Sequence, residues 1–120
     1  MKVAAAVPRV RVADCDFNAS EIIRCVNEAV SMEVQVIVFP ELCITGYSCG
    51  DLFFQETLLH GAVQSLRQIA DATLQQDIIV IVGMPLAVES LLLNTAVVLQ
   101  RGRMLGVVSK SYLPNYKEFQ

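Results

Sequence analysis

VIVFPELCITGYSCGDLF, residues 36–53, decides how this chain is read. Val36-Ile37-Val38-Phe39 is short, apolar and rich in β-branched residues, which is the composition of a buried strand. Pro40 stops it, and a carboxylate, Glu41, follows at once. A turn with Gly46 comes next, then Tyr47, a second turn with Gly50, and Asp51 at the head of a helical pattern. A charge at the mouth of a buried strand is costly unless something uses it, so chemistry is expected here.

On the N-terminal side, residues 2–12 read as a first strand, with Pro8 pointing to an edge or a bulge. Residues 14–18 form a turn. Helical spacing of Ile22, Ile23, Val26, Ala29 and Val30 predicts a helix over residues 20–33, capped by Asn18 or Ser20. Asn18-Ala19-Ser20 matches a glycosylation sequon but reads as a helix cap. On the C-terminal side a long helix is expected over residues 51–74, with Leu59, Ala62, Val63, Leu66, Ile69 and Ala70 facing inward and His60 partly exposed beside them.

Residues 78–82 then form an apolar strand bounded by Gly83 and Pro85. Residues 94–100 and 104–109 make two more, joined by the turn Arg101-Gly102-Arg103 as a hairpin. The pattern strand, helix, strand, helix, strand, strand, strand implies an α/β fold with its helices on one face of a sheet.

Composition narrows the class. The chain has 120 residues, 54% of them hydrophobic and 18% charged, with mean hydropathy +0.51. Globular domains usually carry about 25% charged residues, so either the strands are buried on both faces or a partner covers part of the chain. A formal charge of −3 with no basic run leaves no electrostatic footprint for nucleic acid. No apolar run is long enough to span a membrane, and the start, with Pro8, Arg9 and Arg11, does not read as a signal peptide. A cytoplasmic protein is expected. Cys15, Cys25, Cys43 and Cys49 form no C-x-x-C pair and His60 stands apart, so no metal site is expected and the cysteines read as small buried hydrophobes.

Two charges stand out by position. Glu41 lies just past the second strand, and Lys110 just past the expected end of the last. Loops leaving strand ends of an α/β sheet gather in one crevice, where ligands bind. A carboxylate and an ammonium meeting there would hold each other ionised. Spacing alone also allows a plain salt bridge, or two unrelated surface charges.

The residues themselves add a resemblance. Phe39-Pro40-Glu41-Leu42-Cys43-Ile44-Thr45-Gly46-Tyr47 resembles the glutamate motif of the nitrilase (carbon–nitrogen hydrolase) superfamily. Gly106-Val107-Val108-Ser109-Lys110-Ser111-Tyr112-Leu113-Pro114 resembles its lysine motif. The likeness covers essentially the whole chain, including Gly83-Met84-Pro85 and Leu93-Asn94-Thr95-Ala96. Residues 47–53 and 113–119 are similar to the glutamine amidotransferase branch that serves NAD synthesis.

The resemblance implies the N-terminal half of a four-layer α-β-β-α sandwich and a Glu–Lys–Cys triad that hydrolyses the side-chain amide of glutamine. Glu41 would be the proton carrier and Lys110 the fixed positive charge beside the tetrahedral intermediate. Tyr47 and Tyr116 would border the glutamine pocket, or else serve as packing aromatics. The superfamily's nucleophilic cysteine sits on a later strand, before Glu-Asp, and no such segment occurs among these residues. Cys43 is two positions from Glu41, but at a place that is ordinary sequence in the family. Residues 1–120 are therefore expected to be a partial amidotransferase domain, truncated before its nucleophile and inactive alone. ATP and magnesium would belong to a synthetase domain elsewhere, and an uncovered apolar face would favour a homo-oligomer. An amidase for another amide, or a non-catalytic α/β module, are the alternatives.

Overall fold

The computed structural model describes residues 1–46, 56–88 and 91–112, with the backbone alone at 56–58, 87–88, 91–92 and 110–112. The elements are β1 (Val3–Ala5), α1 (Cys15–Ser31), β2 (Val36–Val38), α2 (Glu56–Ala72), β3 (Ile79–Val88), β4 (Leu91–Gln100) and β5 (Arg103–Tyr112). The strands make one sheet in chain order, β1-β2-β3-β4-β5. Parallel strands need a long crossover, and α1 and α2 provide it between β1, β2 and β3. From β3 onward the pairing is antiparallel.

The core follows from two periodicities. The register sets Ile37 beside Val80, Val80 beside Leu99 and Val82 beside Val97, so these side chains share one sheet face. All are buried, together with Ala19, Ile22, Val26 and Ala29 of α1 and Ala62 and Ile69 of α2. Helices and sheet thus close one apolar layer. The opposite face is barer: Val3 and Val38, of the other parity, are 59% and 37% exposed. Along the outer strand β5, Met104, Leu105, Val107 and Val108 are all exposed.

Several boundaries differ from the sequence expectation, each for a physical reason. The first strand stops at Ala5. It is an edge strand, as Pro8 suggests, but residues 9–13 are drawn away from the sheet: the Arg11 amide donates to Asn18 Oδ1 at 2.7 Å and the Ala13 amide to the Thr45 carbonyl at 2.7 Å. The first helix begins at Cys15, and its cap is Asp14, whose Oδ1 accepts from the Phe17 amide at 3.0 Å. Asn18, expected as a cap within a sequon, is 1% exposed. Its Nδ2 donates to the carbonyls of Arg11 and Ile44, both at 2.8 Å, which ties α1 to the turn after β2. In α2 the inward stripe is rotated: Val63 is exposed, while Ser65 is fully buried. His60 is exposed, with Gln64 Nε2 3.3 Å from its ring. Residues 51–55 lie outside the described residues.

The strand β3 runs straight through Gly83 and Pro85 instead of stopping there. Its partner β2 has already ended, at the pair Val38–Ile81, so beyond that point one side of β3 has no ladder for a proline to break. The last two strands do form a hairpin. Arg101 and Gly102 have φ of 50° and 77°, the positive pair that a two-residue turn with the right twist requires. The final strand reaches Tyr112, so Lys110 lies within β5 and not past its end.

Candidate active site

Everything around Glu41 is arranged by the six residues that follow β2, Phe39 to Ile44. The parallel ladder continues for one bond, from the Phe39 amide to the Ile81 carbonyl at 2.9 Å. The chain then lifts out of the sheet at Pro40 and rejoins it where the Ile44 amide reaches the Gly83 carbonyl at 3.3 Å. Between those points Glu41 is exposed, while Leu42, Cys43, Ile44 and Thr45 are buried. The fold therefore anchors both flanks of one carboxylate and presents it outward.

That excursion is tight. Leu42 sits at φ 52°, a left-handed conformation that is uncommon for a leucine. It is held there by its own burial, at 2% exposure, and by the Gly46 amide, which donates to its carbonyl at 2.7 Å. Below it Gly83 leaves room for the backbone: a Cβ at that position would stand 2.5 Å from the Leu42 nitrogen and 2.9 Å from the Pro40 oxygen. Strained backbone of this sort collects at functional sites, where surrounding packing over-determines it.

Cys43 is the thiol nearest to Glu41 in sequence, and the fold turns it away from chemistry. It is 2% exposed. Its Sγ accepts from the Gly83 amide at 3.4 Å and lies 3.7 Å from the Gly83 carbonyl. Burial pushes this thiol up to about 11, only partly opposed by the Gly83 amide. A nucleophile needs the thiolate and access to substrate, and Cys43 has neither. Burial also raises Cys25, and Cys15 is buried. Cys49 lies outside the described residues.

Glu41 is held from across the sheet. Asn94 Nδ2, on β4, donates to Glu41 Oε2 at 3.2 Å. Asn94 pairs with Ser111 on β5 while the next residue, Thr95, pairs with Ser109, so Lys110 is the extra residue of a bulge beside Asn94. Bulges of this kind re-aim a side chain and are common next to active sites. The backbone of Lys110 thus runs on the strand next to the residue that grips Glu41; its side chain lies outside the described residues. Tyr47 and Tyr116 fall outside them as well. Sequence reading did not single out Asn94. The Leu93-Asn94-Thr95-Ala96 segment did contribute to the resemblance, and an amide side chain directly after the apolar run Leu91-Leu92-Leu93 was the signal available.

Known proteins supply the rest. The family described as carbon-nitrogen hydrolase matches residues 2–120. The glutamine-dependent NAD(+) synthetase of Mycobacterium leprae is 36% identical over 119 residues, a match covering 99% of this chain and 18% of that protein. The enzyme of the same name from Aquifex aeolicus is 37% identical over 108 residues, covering 90% and 19%. A crystal structure of the Cytophaga hutchinsonii synthetase superposes with TM-score 0.86 at 28% identity, over 98% of this chain and 20% of that one. An amidase from Nesterenkonia sp., at 23% identity and TM-score 0.78, shares the fold. This chain spans about a fifth of the length of the synthetases it matches. It folds as part of the nitrilase-type α/β architecture, and it belongs to the carbon-nitrogen hydrolase family.

Proposed function

We propose that these residues form the N-terminal part of a glutamine-hydrolysing domain that supplies ammonia to ATP-dependent NAD synthesis from deamido-NAD. The observation that carries this reading is Glu41, presented at the sheet mouth and gripped by Asn94, in a chain that matches NAD synthetases over 99% of its length. In this reading Glu41 takes the proton of a cysteine thiol as the sulfur attacks the amide carbon. It passes that proton to the leaving nitrogen, which departs as ammonia, and then takes one from the water that cleaves the thioester. Lys110 provides positive charge where the carbonyl oxygen becomes an oxyanion, an effect of about 3 kcal/mol for one donor in comparable sites. Tyr47 and Tyr116 border the glutamine.

The nucleophile comes from outside residues 1–120, in keeping with the burial and hydrogen bonding of Cys43. ATP and magnesium act at a synthetase domain that these residues do not include. The protein works in the cytoplasm; no helix among the described residues is long and apolar enough to cross a membrane.

The test uses the full-length protein. Glu41→Gln should lower glutamine-dependent NAD formation by roughly 10²–10⁴-fold while NAD formation from added ammonia stays at the wild-type rate. Hydrolysis of simple aliphatic amides in preference to glutamine would refute the substrate. Unchanged glutamine-dependent activity in Glu41→Gln would refute the role of the carboxylate.

A further inference from the structure

Asn94 is an odd residue to find where it stands. It is 4% exposed, in the middle of the sheet, between β3 and β5. Its Nδ2 serves the exposed carboxylate of Glu41, yet its Oδ1 is buried with no hydrogen-bond partner among the described residues. An unsatisfied buried carbonyl costs on the order of 1–3 kcal/mol, and buried polar groups are nearly always paired. Turning the amide over would not relieve the deficit, because it would set an oxygen against a carboxylate oxygen. The orientation is therefore dictated by Glu41 and not by the needs of Asn94.

A residue that only held the sheet together would be better replaced by an apolar one, since its register partner across β3 is Pro85, which offers no N–H. The bulge that displaces Lys110 occurs at this same residue of β4. One amide thus links the strand carrying the lysine to the carboxylate.

We propose that Asn94 is a positioning residue for Glu41. Its buried carboxamide fixes the rotamer of the carboxylate by holding Oε2 with a hydrogen bond from within the sheet. The proposal rests on Glu41 being the proton carrier of an amide hydrolase. A hydrogen bond from a buried strand narrows the rotamers open to a carboxylate on an exposed turn, and misplacement by about 1 Å can cost 10²-fold in rate.

The experiment compares wild type, Asn94→Asp and Asn94→Leu in the full-length protein, with ammonia release from glutamine followed across pH. Asn94→Leu should lower kcat about 10–100-fold with KM little changed. Asn94→Asp is isosteric and sets a second carboxylate against Glu41. The two then compete for a proton, and the acid limb of kcat/KM should move up by about one pH unit or more. Ammonia-dependent synthesis should not change in either variant. Folded variants with the wild-type kcat and pH profile would overturn the proposal. So would the failure of both variants to fold, which would make Asn94 a structural residue. If wild type itself released no ammonia from glutamine, the functional reading would fail separately. The positioning contact would then be judged by a thermal-stability cycle with Glu41→Gln, in which additive effects would refute it.

Discussion

Gly83→Ala is the sharpest way to ask whether the strand that ends at Phe39 and the turn carrying Glu41 are held as described. The added methyl carbon would stand 2.5 Å from the Leu42 nitrogen, 2.9 Å from the Pro40 oxygen and 3.0 Å from the Glu41 carbonyl carbon, against the 3.4 Å at which ordinary contact begins. All three obstacles are backbone, so none can swing aside as a side chain would. The 40–42 segment must rise by about 0.9 Å at its closest point. The Glu41–Asn94 hydrogen bond is already 3.2 Å long, and such a displacement takes it past useful length.

Overpacking of a fitted site costs about 1–3 kcal/mol, which for a domain of this size lowers Tm by roughly 4–12 °C. Thermal unfolding followed by circular dichroism measures it, with Gly106→Ala as the control. A Cβ at Gly106 meets nothing within 4 Å, so that variant should unfold at or slightly above the wild-type temperature. Amide hydrolysis should fall in Gly83→Ala and survive in Gly106→Ala. Equal Tm and equal activity for the two alanine variants would mean that the turn does not press on Gly83, and the account of how Glu41 is anchored would be wrong.

Cys43 should reveal itself through alkaline stability. Its folded value, about 11, lies above the ordinary thiol value of 9.0, so the folded state keeps the proton that the unfolded chain has released. The stabilisation is complete below pH 9 and is lost as pH rises towards 11, to a total on the order of 2–3 kcal/mol; Cys43→Ala should lack that slope in a pH series of urea unfolding, and parallel curves would refute the burial of the thiol. Asn18→Ala should cost about 2 kcal/mol, because it strands the Arg11 amide and the Ile44 carbonyl, while the Arg11 carbonyl keeps the Asp14 amide; a loss under 1 kcal/mol in the same assay would show that the stranded groups find other partners. Arg101→Asn should stabilise by about 0.5–1 kcal/mol, since asparagine tolerates the positive φ at the hairpin turn and the exposed Arg101–Asp77 ion pair it removes is worth little. Sedimentation of this chain at micromolar concentration should find a dimer or larger, driven by the apolar residues exposed along β5; a clean monomer would refute that.

Where side-chain pattern and local chemistry agree, the sequence alone was enough. The apolar run at 36–39 closed by Pro40 marks β2, and helical spacing around Ile22, Val26 and Ala29 marks the inner face of α1. The positive-φ turn at Arg101-Gly102 makes the last hairpin. Most departures from the local pattern come from bonds that cross between distant segments. Pro8 and its neighbours have strand-like composition, but Asn18 and Thr45 claim their backbone groups, so β1 is three residues long. Gly83 and Pro85 look like strand breakers, and only knowledge that β2 has already ended explains why β3 passes through them. Val63 was assigned to the core of α2 by periodicity, yet the helix is rotated enough to bury Ser65.

The candidate site shows the same division between what is local and what is not. Glu41 is conspicuous in sequence because it is a lone charge at the end of an apolar strand, a local anomaly. Asn94 is inconspicuous because its importance is a pairing across 53 residues of chain. Cys43 is conspicuous for the wrong reason: two positions from Glu41 in a strand would put both side chains on one face, within reach of the same substrate. In the turn actually formed, Leu42 at φ 52° sends the next side chain down into the sheet, onto the Gly83 backbone. One backbone conformation thus decides that the carboxylate faces out and the neighbouring sulfur faces in. If Glu41 is the proton carrier proposed above, Cys43 is therefore not its thiol partner.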